Sequence, residues 1–258
     1  MNRKYIVLLI IFIIYFLIMF IVFGLPNIIK RSKDIKLALG EQTIFIYEDE
    51  EWKNITPVDI ERYDWIEYRV YDNNKYVNKY QIKSSDKGFL LFDENRDPYN
   101  ITSYSLLGIS GNKRENVINK DKYKEEIKDQ NIKEFLSTKG FKEEDLTTSI
   151  KYSYDLDGDH KKENIYVVSN MYSSNFINNK VFSYIFYEKD GIFSVIHEGR
   201  TSITSQYLLC FGDVRNIVDL DNDANYEIVT SCSYNSARKE KYSLFGLENN
   251  EYKELVKD

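Results

Sequence analysis

Two stretches of this chain carry the same acidic pattern, Asp-x-Asp-x-Asp-x-x-x-Glu, and they start 64 residues apart. The carboxylates of the two copies are Asp155, Asp157, Asp159 and Glu163, followed by Asp219, Asp221, Asp223 and Glu227. Each copy lies between runs in which apolar and polar residues alternate, as in residues 150–154 before the first copy. Such alternation is typical of strands. The pattern therefore predicts a β unit that occurs twice, with an acidic loop in each unit.

The strands predicted after each acidic loop follow the same order. They cover residues 163–168, 181–187 and 192–196 in the first unit, and residues 226–229, 242–247 and 252 onward in the second. The last two strands of each unit flank a short polar turn, Lys189-Asp190-Gly191 or Asn249-Asn250, and the first of these has the composition of a tight hairpin turn. A period of about 60 residues with four strands per unit indicates a β repeat such as a propeller blade.

Four carboxylates within nine residues repel one another strongly unless a cation lies among them. Ca²⁺ is favoured because it accepts about six to eight oxygen ligands in a flexible arrangement, whereas Mg²⁺ prefers a strict octahedron and retains more water. A backbone carbonyl near the seventh position, Lys161 or Asn225, and water can complete the shell. Zinc is disfavoured because the pattern offers neither nitrogen nor sulfur ligands. Ca²⁺ is therefore the predicted cofactor.

An EF-hand does not fit, because the twelfth position, which carries a bidentate Glu in that motif, is Tyr166 in one copy and Thr230 in the other. Both loops instead run into strand-like sequence. An acidic loop of this spacing before a strand resembles the FG-GAP or VCBS-type repeat, the calcium-binding blade also seen in integrin α-subunit propellers. The resemblance covers about residues 148–258. It implies that the Asp and Glu side chains of both copies are the calcium ligands.

The family commonly has Gly at the fourth and sixth loop positions, where the loop turns sharply. This chain has Gly158 and His160 in the first copy, and Asn222 and Ala224 in the second. His and Asn tolerate a positive φ better than most residues, whereas Ala224 would be strained there, so the first site fits the family better. A full propeller needs about four blades or more. The chain is therefore either a short or degenerate propeller, with residues 40–110 as blades that lack the acids, or a two-sheet β domain with the same loop.

The whole chain is predicted to be mainly β, with blade-like antiparallel sheets and one helix. Its regions are a membrane anchor at residues 1–35, a β region at 36–115, a helical connector at 116–147 and the two β repeats at 148–258. Strands in the β region are predicted at residues 43–47, 67–71 and 88–92. Apolar residues at near-helical spacing predict an amphipathic helix over residues 121–139, and Gly140 follows as its stop.

The N-terminal anchor is predicted from residues 5–25, an uncharged run that spans about 31 Å as a helix, close to the thickness of a bilayer core. The run is longer than the apolar part of a signal peptide, and no small-x-small cleavage site follows it. Positive charges are nearly balanced on its two sides. We expect the C-terminal part to be extracytoplasmic, because a weak structural calcium site is filled where calcium is near millimolar.

The cysteines and histidines are few. Cys210 and Cys232 bracket the second acidic loop, and they form either a disulfide across adjacent strands or two buried thiols. His160 is expected to be a loop residue and not a ligand, and His197 a surface residue at the end of a strand. With so few histidines and cysteines, most histidine- or thiolate-based catalytic centres are disfavoured.

The predicted function is a membrane-anchored, extracytoplasmic calcium-binding β-repeat protein that acts as a binding or scaffold module at the cell surface, and not an enzyme. Its partner would be an unidentified protein or glycan, and the formal net charge of −6 argues against nucleic acid. The alternative is an accessory or regulatory protein that signals through a membrane partner. A hydrolase is the least favoured class, because the chain has no Gly-x-Ser-x-Gly elbow.

Overall fold

A computed structural model describes most of the chain beyond residue 34. The described residues are 35–39, 43–48, 51–55, 64–85, 88–99, 106–111, 115–128, 130–141, 146–170, 180–202, 209–234 and 240–256. The predicted anchor at residues 5–25 lies outside them, and within these ranges no helix is long and apolar enough to cross a membrane. The described part is mainly β, as predicted, with antiparallel sheets that are not closed into a barrel.

The N-terminal sheet has eight strands. These are β1 (Ile35–Leu39), β2 (Thr43–Glu48), β3 (Glu51–Ile55), β4 (Glu67–Asp72), β5 (Lys75–Ser85), β6 (Gly88–Phe92), β7 (Pro98–Tyr99) and β8 (Leu107–Ser110). Their spatial order is β3-β2-β1-β8-β4-β5-β6-β7, so β3 is an edge strand. The strands predicted at residues 43–47, 67–71 and 88–92 are confirmed as β2, β4 and β6.

Two five-stranded sheets follow, one for each predicted repeat. The first repeat sheet contains β10 (Lys124–Glu125), β11 (Thr148–Tyr154), β12 (Glu163–Ser169), β13 (Lys180–Lys189) and β14 (Ile192–Ser202), in that spatial order. The second contains β9 (Asn116–Val117), β15 (Cys210–Asp219), β16 (Glu227–Tyr234), β17 (Glu240–Glu248) and β18 (Glu251–Glu254), in the order β18-β17-β16-β15-β9. Each sheet is thus a four-strand meander extended by one short strand from the preceding connector.

The hairpin turns of the two meanders have the same backbone conformation. Asp190 and Gly191 have φ values of 50° and 82°, and Asn249 and Asn250 have values of 53° and 64°. Two successive residues with positive φ form the turn that best matches the twist of antiparallel strands, and Asn, Asp and Gly are the residues that adopt it most readily. The turn predicted at residues 189–191 is therefore confirmed.

The second repeat sheet is the middle layer of the molecule. On one face, Ile228 and Phe245 share a buried cluster with Ile165 and Ile185 of the first repeat sheet. On its other face, Val229 belongs to a cluster that contains Leu37 and Phe45 of the N-terminal sheet. Strands buried on both faces need continuous apolar runs, which explains the sequence Ile228-Val229 directly after the acidic pattern.

A single helix among the described residues, α1 (Gln130–Thr138), covers the outer face of the first repeat sheet, where Ile132 and Leu136 join a buried cluster with Phe186. Gly140 ends the helix with a φ of 83°, and the N–H of Phe141 donates to the Leu136 carbonyl over 3.0 Å. The predicted start at residue 121 was wrong. The chain there forms a 3-10 turn (Lys120–Tyr123) and then β10, whose backbone groups pair with β11.

Candidate metal centres

The two acidic patterns form the connections between the first two strands of each meander. Loop 1 (residues 155–163) joins β11 to β12, and loop 2 (residues 219–227) joins β15 to β16. Each loop is closed by its Glu, which reaches back to the backbone of the second loop residue. The N–H of Leu156 donates to Glu163 Oε2 over 2.6 Å, and the N–H of Leu220 donates to Glu227 Oε2 over 3.0 Å.

The same hydrogen bonds stabilise the turn inside each loop. The first Asp accepts from the backbone N–H of the sixth residue, at 3.0 Å from His160 to Asp155 and 3.1 Å from Ala224 to Asp219. The third Asp accepts from the N–H of the seventh residue in both copies, over 2.8 Å from Lys161 to Asp159 and over 2.8 Å from Asn225 to Asp223. The loops are therefore equivalent in structure as well as in sequence.

The fourth and sixth residues of both loops have positive φ. The values are 73° for Gly158 and 68° for His160 in loop 1, and 61° for Asn222 and 69° for Ala224 in loop 2. A β-carbon makes this conformation costly for most residues, and least so for Asn, Asp and His. Ala224 therefore carries the strain that the sequence predicted for a positive φ at this position.

These turns bring three carboxylates together in each loop. The groups are Asp155, Asp157 and Asp159 in loop 1, and Asp219, Asp221 and Asp223 in loop 2, with one oxygen from each residue within 4.8 Å of the others. The other predicted side-chain ligands, Glu163 and Glu227, lie outside these groups, and Oε2 of each accepts the backbone hydrogen bond that closes its loop, so metal binding by these two residues stays a prediction. For Lys161 and Asn225 the structure gives a role to the backbone N–H, and coordination through their carbonyls stays a prediction.

Burial, together with the neighbouring carboxylates, raises the pKa of the Glu that closes each loop. Burial raises the pKa of Glu227 to about 8, and the nearby charges of Asp221 and Asp223 act in the same direction. Burial likewise raises the pKa of Glu163, with smaller contributions from Asp157 and other loop charges. The carboxyl groups of Glu163 and Glu227 therefore keep their protons to a higher pH than an exposed Glu does.

Loop 1 already holds a positive charge from the chain itself. The ammonium group of Lys189 donates to Asp157 Oδ2 and, over 2.9 Å, to Asp159 Oδ2. The Lys189 side chain is only 18% exposed and that of Asp157 only 9%. The hydrogen bond from Lys189 lowers the pKa of the Asp159 carboxyl. The sequence interpretation missed this residue, although it is the first residue of the hairpin turn predicted at 189–191.

Loop 2 differs at the corresponding place. Lys189 is the last residue of β13 and pairs with Ile192, the first residue of β14. The last residue of β17, which pairs with Glu251 at the start of β18, is Glu248. The second repeat therefore has a carboxylate where the first has an ammonium group.

The two loops also contact each other. The N–H of Tyr226 in loop 2 donates to the carbonyl of Leu156 in loop 1 over 2.9 Å. The rings of Tyr154 and Tyr226 meet edge to face with centroids 5.3 Å apart. The acidic loops thus lie together at one end of the two repeat sheets.

Loop 2 opens onto a cleft of about 670 Å³ between the N-terminal sheet and the second repeat sheet. Its lining includes Asp221 and Glu227 of loop 2, Glu248 of β17 and Trp52 of β3. The two sheets meet here through an isolated parallel bridge between Trp52 and Val256. A volume in this range is typical of ligand sites.

A disulfide joins Cys210 of β15 to Cys232 of β16, with their Cα atoms 5.2 Å apart. Of the two possibilities open from the sequence, the structure has the disulfide. His197 was expected to be a surface residue at the end of a strand, but it lies within β14 and is half-buried. Its Nε2 lies 3.0 Å from the Cys210 carbonyl oxygen, its ring covers Gly212, and burial lowers its pKa. The side chain of His160 is 96% exposed, as expected for a loop residue.

The chain matches no protein-family model, no curated protein and no solved structure. The resemblance to the FG-GAP or VCBS-type repeat therefore depends on the loop residues alone and stays a prediction. The features of this chain that bear on its function are therefore the two loops and the cleft beside loop 2.

Proposed function

We propose that this chain is a calcium-binding β-repeat protein whose two meanders are blade-like units of a short, propeller-like stack. The observation that carries the proposal is the equivalence of the loops. Each loop has the same carboxylate spacing, the same closing Glu and a positive φ at the same two positions, and each gathers three Asp oxygens within 4.8 Å. Hard oxygen ligands in this number suit Ca²⁺.

We expect loop 2 to bind Ca²⁺ more tightly than loop 1. In loop 1 the ion has to displace the ammonium group of Lys189 or bind beside it, and two like charges a few ångströms apart repel strongly. In loop 2 the corresponding residue is Glu248, which adds negative charge. The glycine pattern of the family favoured the first site instead. The order is reversed here because Lys189 reaches loop 1 from another strand.

The proposed location is outside the cytoplasm, with the chain attached to the membrane by one N-terminal span. The disulfide between Cys210 and Cys232 supports an oxidising compartment. The apolar run at residues 5–25 supports the span. Calcium near millimolar concentration in such a compartment would keep even a weak structural site filled.

The proposed role is that of a binding or scaffold module, with no residue in a catalytic role. Calcium would stabilise the loops, and the cleft beside loop 2 would supply the surface for a partner. An ion that binds only the folded state adds about 2.7 kcal/mol of stability at a hundredfold excess over its dissociation constant. The ion is therefore expected to act on the fold first and on the partner indirectly.

Isothermal titration calorimetry tests this proposal on the full-length protein in an uncharged detergent, after treatment with a chelator. Wild-type protein is expected to bind Ca²⁺ in two steps, with little heat from Mg²⁺. Asp221→Asn should remove the tighter step, and Asp157→Asn the weaker one. An absence of calcium binding at millimolar concentration, or variants that titrate like wild type, would contradict the proposal.

A further inference from the structure

The cleft beside loop 2 has an unusual excess of negative charge. In the part of the lining that the structure describes there are six carboxylates, from Glu51, Asp221, Asp223, Glu227, Glu248 and Glu254. Among the described residues of the lining, Lys53 carries the single basic side chain. If a divalent ion occupied loop 2, the net charge of the described lining would still be negative. A concave surface lined by one sign of charge concentrates ligands of the opposite sign.

The contacts of Lys189 in loop 1 indicate which kind of cation binds clustered carboxylates in this fold. There, the primary ammonium group of Lys189 donates hydrogen bonds to two Asp carboxylates at once. Lysine is a compact point charge with three donors, so it can satisfy several carboxylates that converge. The second repeat has Glu248 at this place, and the ion pair between Glu248 and Lys253 Nζ, at 3.8 Å, is half exposed and therefore weak. A lysine from another molecule can compete with it.

The strands around the cleft favour a peptide over a small amine. β3 is the last strand of the N-terminal sheet, and β18 is the last strand of the second repeat sheet. An isolated bridge from Trp52 to Val256, two residues after the end of β18, brings these two strands together beside the cleft and occupies the β3 edge at Trp52. Edge strands present backbone donors and acceptors to which an extended peptide can add as a further strand.

The aromatic side chains at the cleft suit the same ligand. Trp52 and Tyr47 line it with ring centroids 5.4 Å apart. An alkyl stem packs on such rings, and an ammonium group above an aromatic face is attracted by the ring electrons. The cleft thus offers apolar contact for the stem of a lysine and carboxylates for its head.

We propose that the cleft binds an extended peptide segment that carries lysine side chains, with their ammonium groups against Glu248, Glu254 and Glu51. The inference rests on the proposed binding function and names its ligand class, but it does not require calcium in loop 2. The peptide backbone lies along the edge of β18, beside the bridge that joins Trp52 to Val256.

Fluorescence anisotropy with a labelled eight-residue peptide of alternating Lys and Thr tests the proposal on the full-length protein in an uncharged detergent. The same peptide with Glu in place of Lys is the first control. We expect the Lys peptide to bind and the Glu peptide not to bind. The double variant Glu248→Gln/Glu254→Gln should weaken binding about tenfold, as expected for the loss of two partly exposed charge pairs. The matched variant Glu251→Gln, on the same hairpin but outside the cleft lining, should bind like wild type.

Spermidine distinguishes a peptide site from a site for free amines. It should compete only weakly, because it has no backbone to pair with the strand edges. Competition by spermidine as strong as that by unlabelled Lys peptide would overturn the peptide assignment. Equal binding by wild type and the double variant, or no binding of the Lys peptide, would overturn the site itself.

Measurements with Ca²⁺ and with a chelator separate this inference from the proposed calcium function. Peptide binding under both conditions supports the site even where calorimetry detects no calcium. Calcium binding without peptide binding would refute the cleft proposal and leave the calcium sites intact.

Discussion

Gly158 of loop 1 packs against Ala224 of loop 2 so closely that a β-carbon on Gly158 would lie 2.9 Å from the Cβ of Ala224. The backbone hydrogen bond from Tyr226 to Leu156 lies beside this contact. The two acidic loops are therefore coupled through direct packing. A change in one loop is expected to reach the other.

The first prediction concerns this contact. Gly158→Ala places an alanine at a positive φ and creates a steric clash with the Cβ of Ala224. It should lower the free energy of unfolding by about 2–4 kcal/mol. Gly191→Ala is the matched control, because Gly191 has a similar φ of 82° but nothing within 4 Å of the added carbon. It should cost about 1 kcal/mol. Urea unfolding followed by circular dichroism measures both values.

The double variant Gly158→Ala/Ala224→Gly isolates the steric part. It removes the Cβ that the new methyl group would meet, and it relieves the strain at position 224, where φ is 69°. Most of the stability lost in Gly158→Ala should therefore return. Equal losses for Gly158→Ala and Gly191→Ala, with no recovery in the double variant, would mean that the loops do not pack in this way.

A second prediction concerns the last residue of the third strand in each meander, which is Lys189 in the first repeat and Glu248 in the second. Lys189→Met keeps a long side chain but removes the ammonium group from Asp157 and Asp159. The calcium affinity of loop 1 should rise by about tenfold or more, because the competing charge is gone. Glu248→Lys is the mirror experiment and should weaken calcium binding at loop 2. Calorimetry that finds the same affinities in all three proteins would exclude this role for Lys189.

A third prediction concerns the disulfide between Cys210 and Cys232, which closes a segment with a sequence separation of 22. Chain-entropy arguments give about 3 kcal/mol of stability for a loop of this size. The double variant Cys210→Ala/Cys232→Ala should lose about that much in urea unfolding. A reducing agent should lower the melting temperature of the wild type but leave that of the double variant unchanged, and an equal effect on both would argue against the bond.

A fourth prediction concerns the pH dependence of stability. Burial lowers the pKa of His197 in the folded state below the ordinary value of 6.5. As pH falls through about 6.5, the unfolded chain takes up a proton at this residue before the folded chain does, so stability is lost until the folded pKa is reached. His197→Gln should therefore reduce the loss of unfolding free energy between pH 7.5 and pH 5. A pH profile of His197→Gln that coincides with that of the wild type would contradict this role for His197.

Local patterns predicted much of this fold correctly. The strand at residues 163–168, the acidic loop before it and the hairpin turn at residues 189–191 all agree with the structure. Each depends on a few adjacent residues: alternation for the strand, carboxylate spacing for the loop, and Asp-Gly for the turn. Such features can be predicted because the backbone conformation is determined within the segment itself.

Contacts between distant segments were not predictable in this way. Lys189 reaches Asp157 because β13 pairs with β12, and the sequence contains no local sign of that register. His197 is half-buried against β15, a contact between separate strands of which the sequence likewise contains no local sign. The first half of the predicted helix is not helical, because residues 124 and 125 pair with β11. In each case a tertiary partner determined the outcome.

The central claim is that a hard cation neutralises the clustered carboxylates of the two loops. Thermal melting of the full-length protein in millimolar Ca²⁺ and in chelator, for wild type and Asp221→Asn, tests it most directly. At a hundredfold excess of calcium over the dissociation constant of loop 2, the wild type should melt about 5–10 °C higher than in chelator, and Asp221→Asn should lose most of that difference. The same melting temperature for wild type in both solutions would contradict the claim.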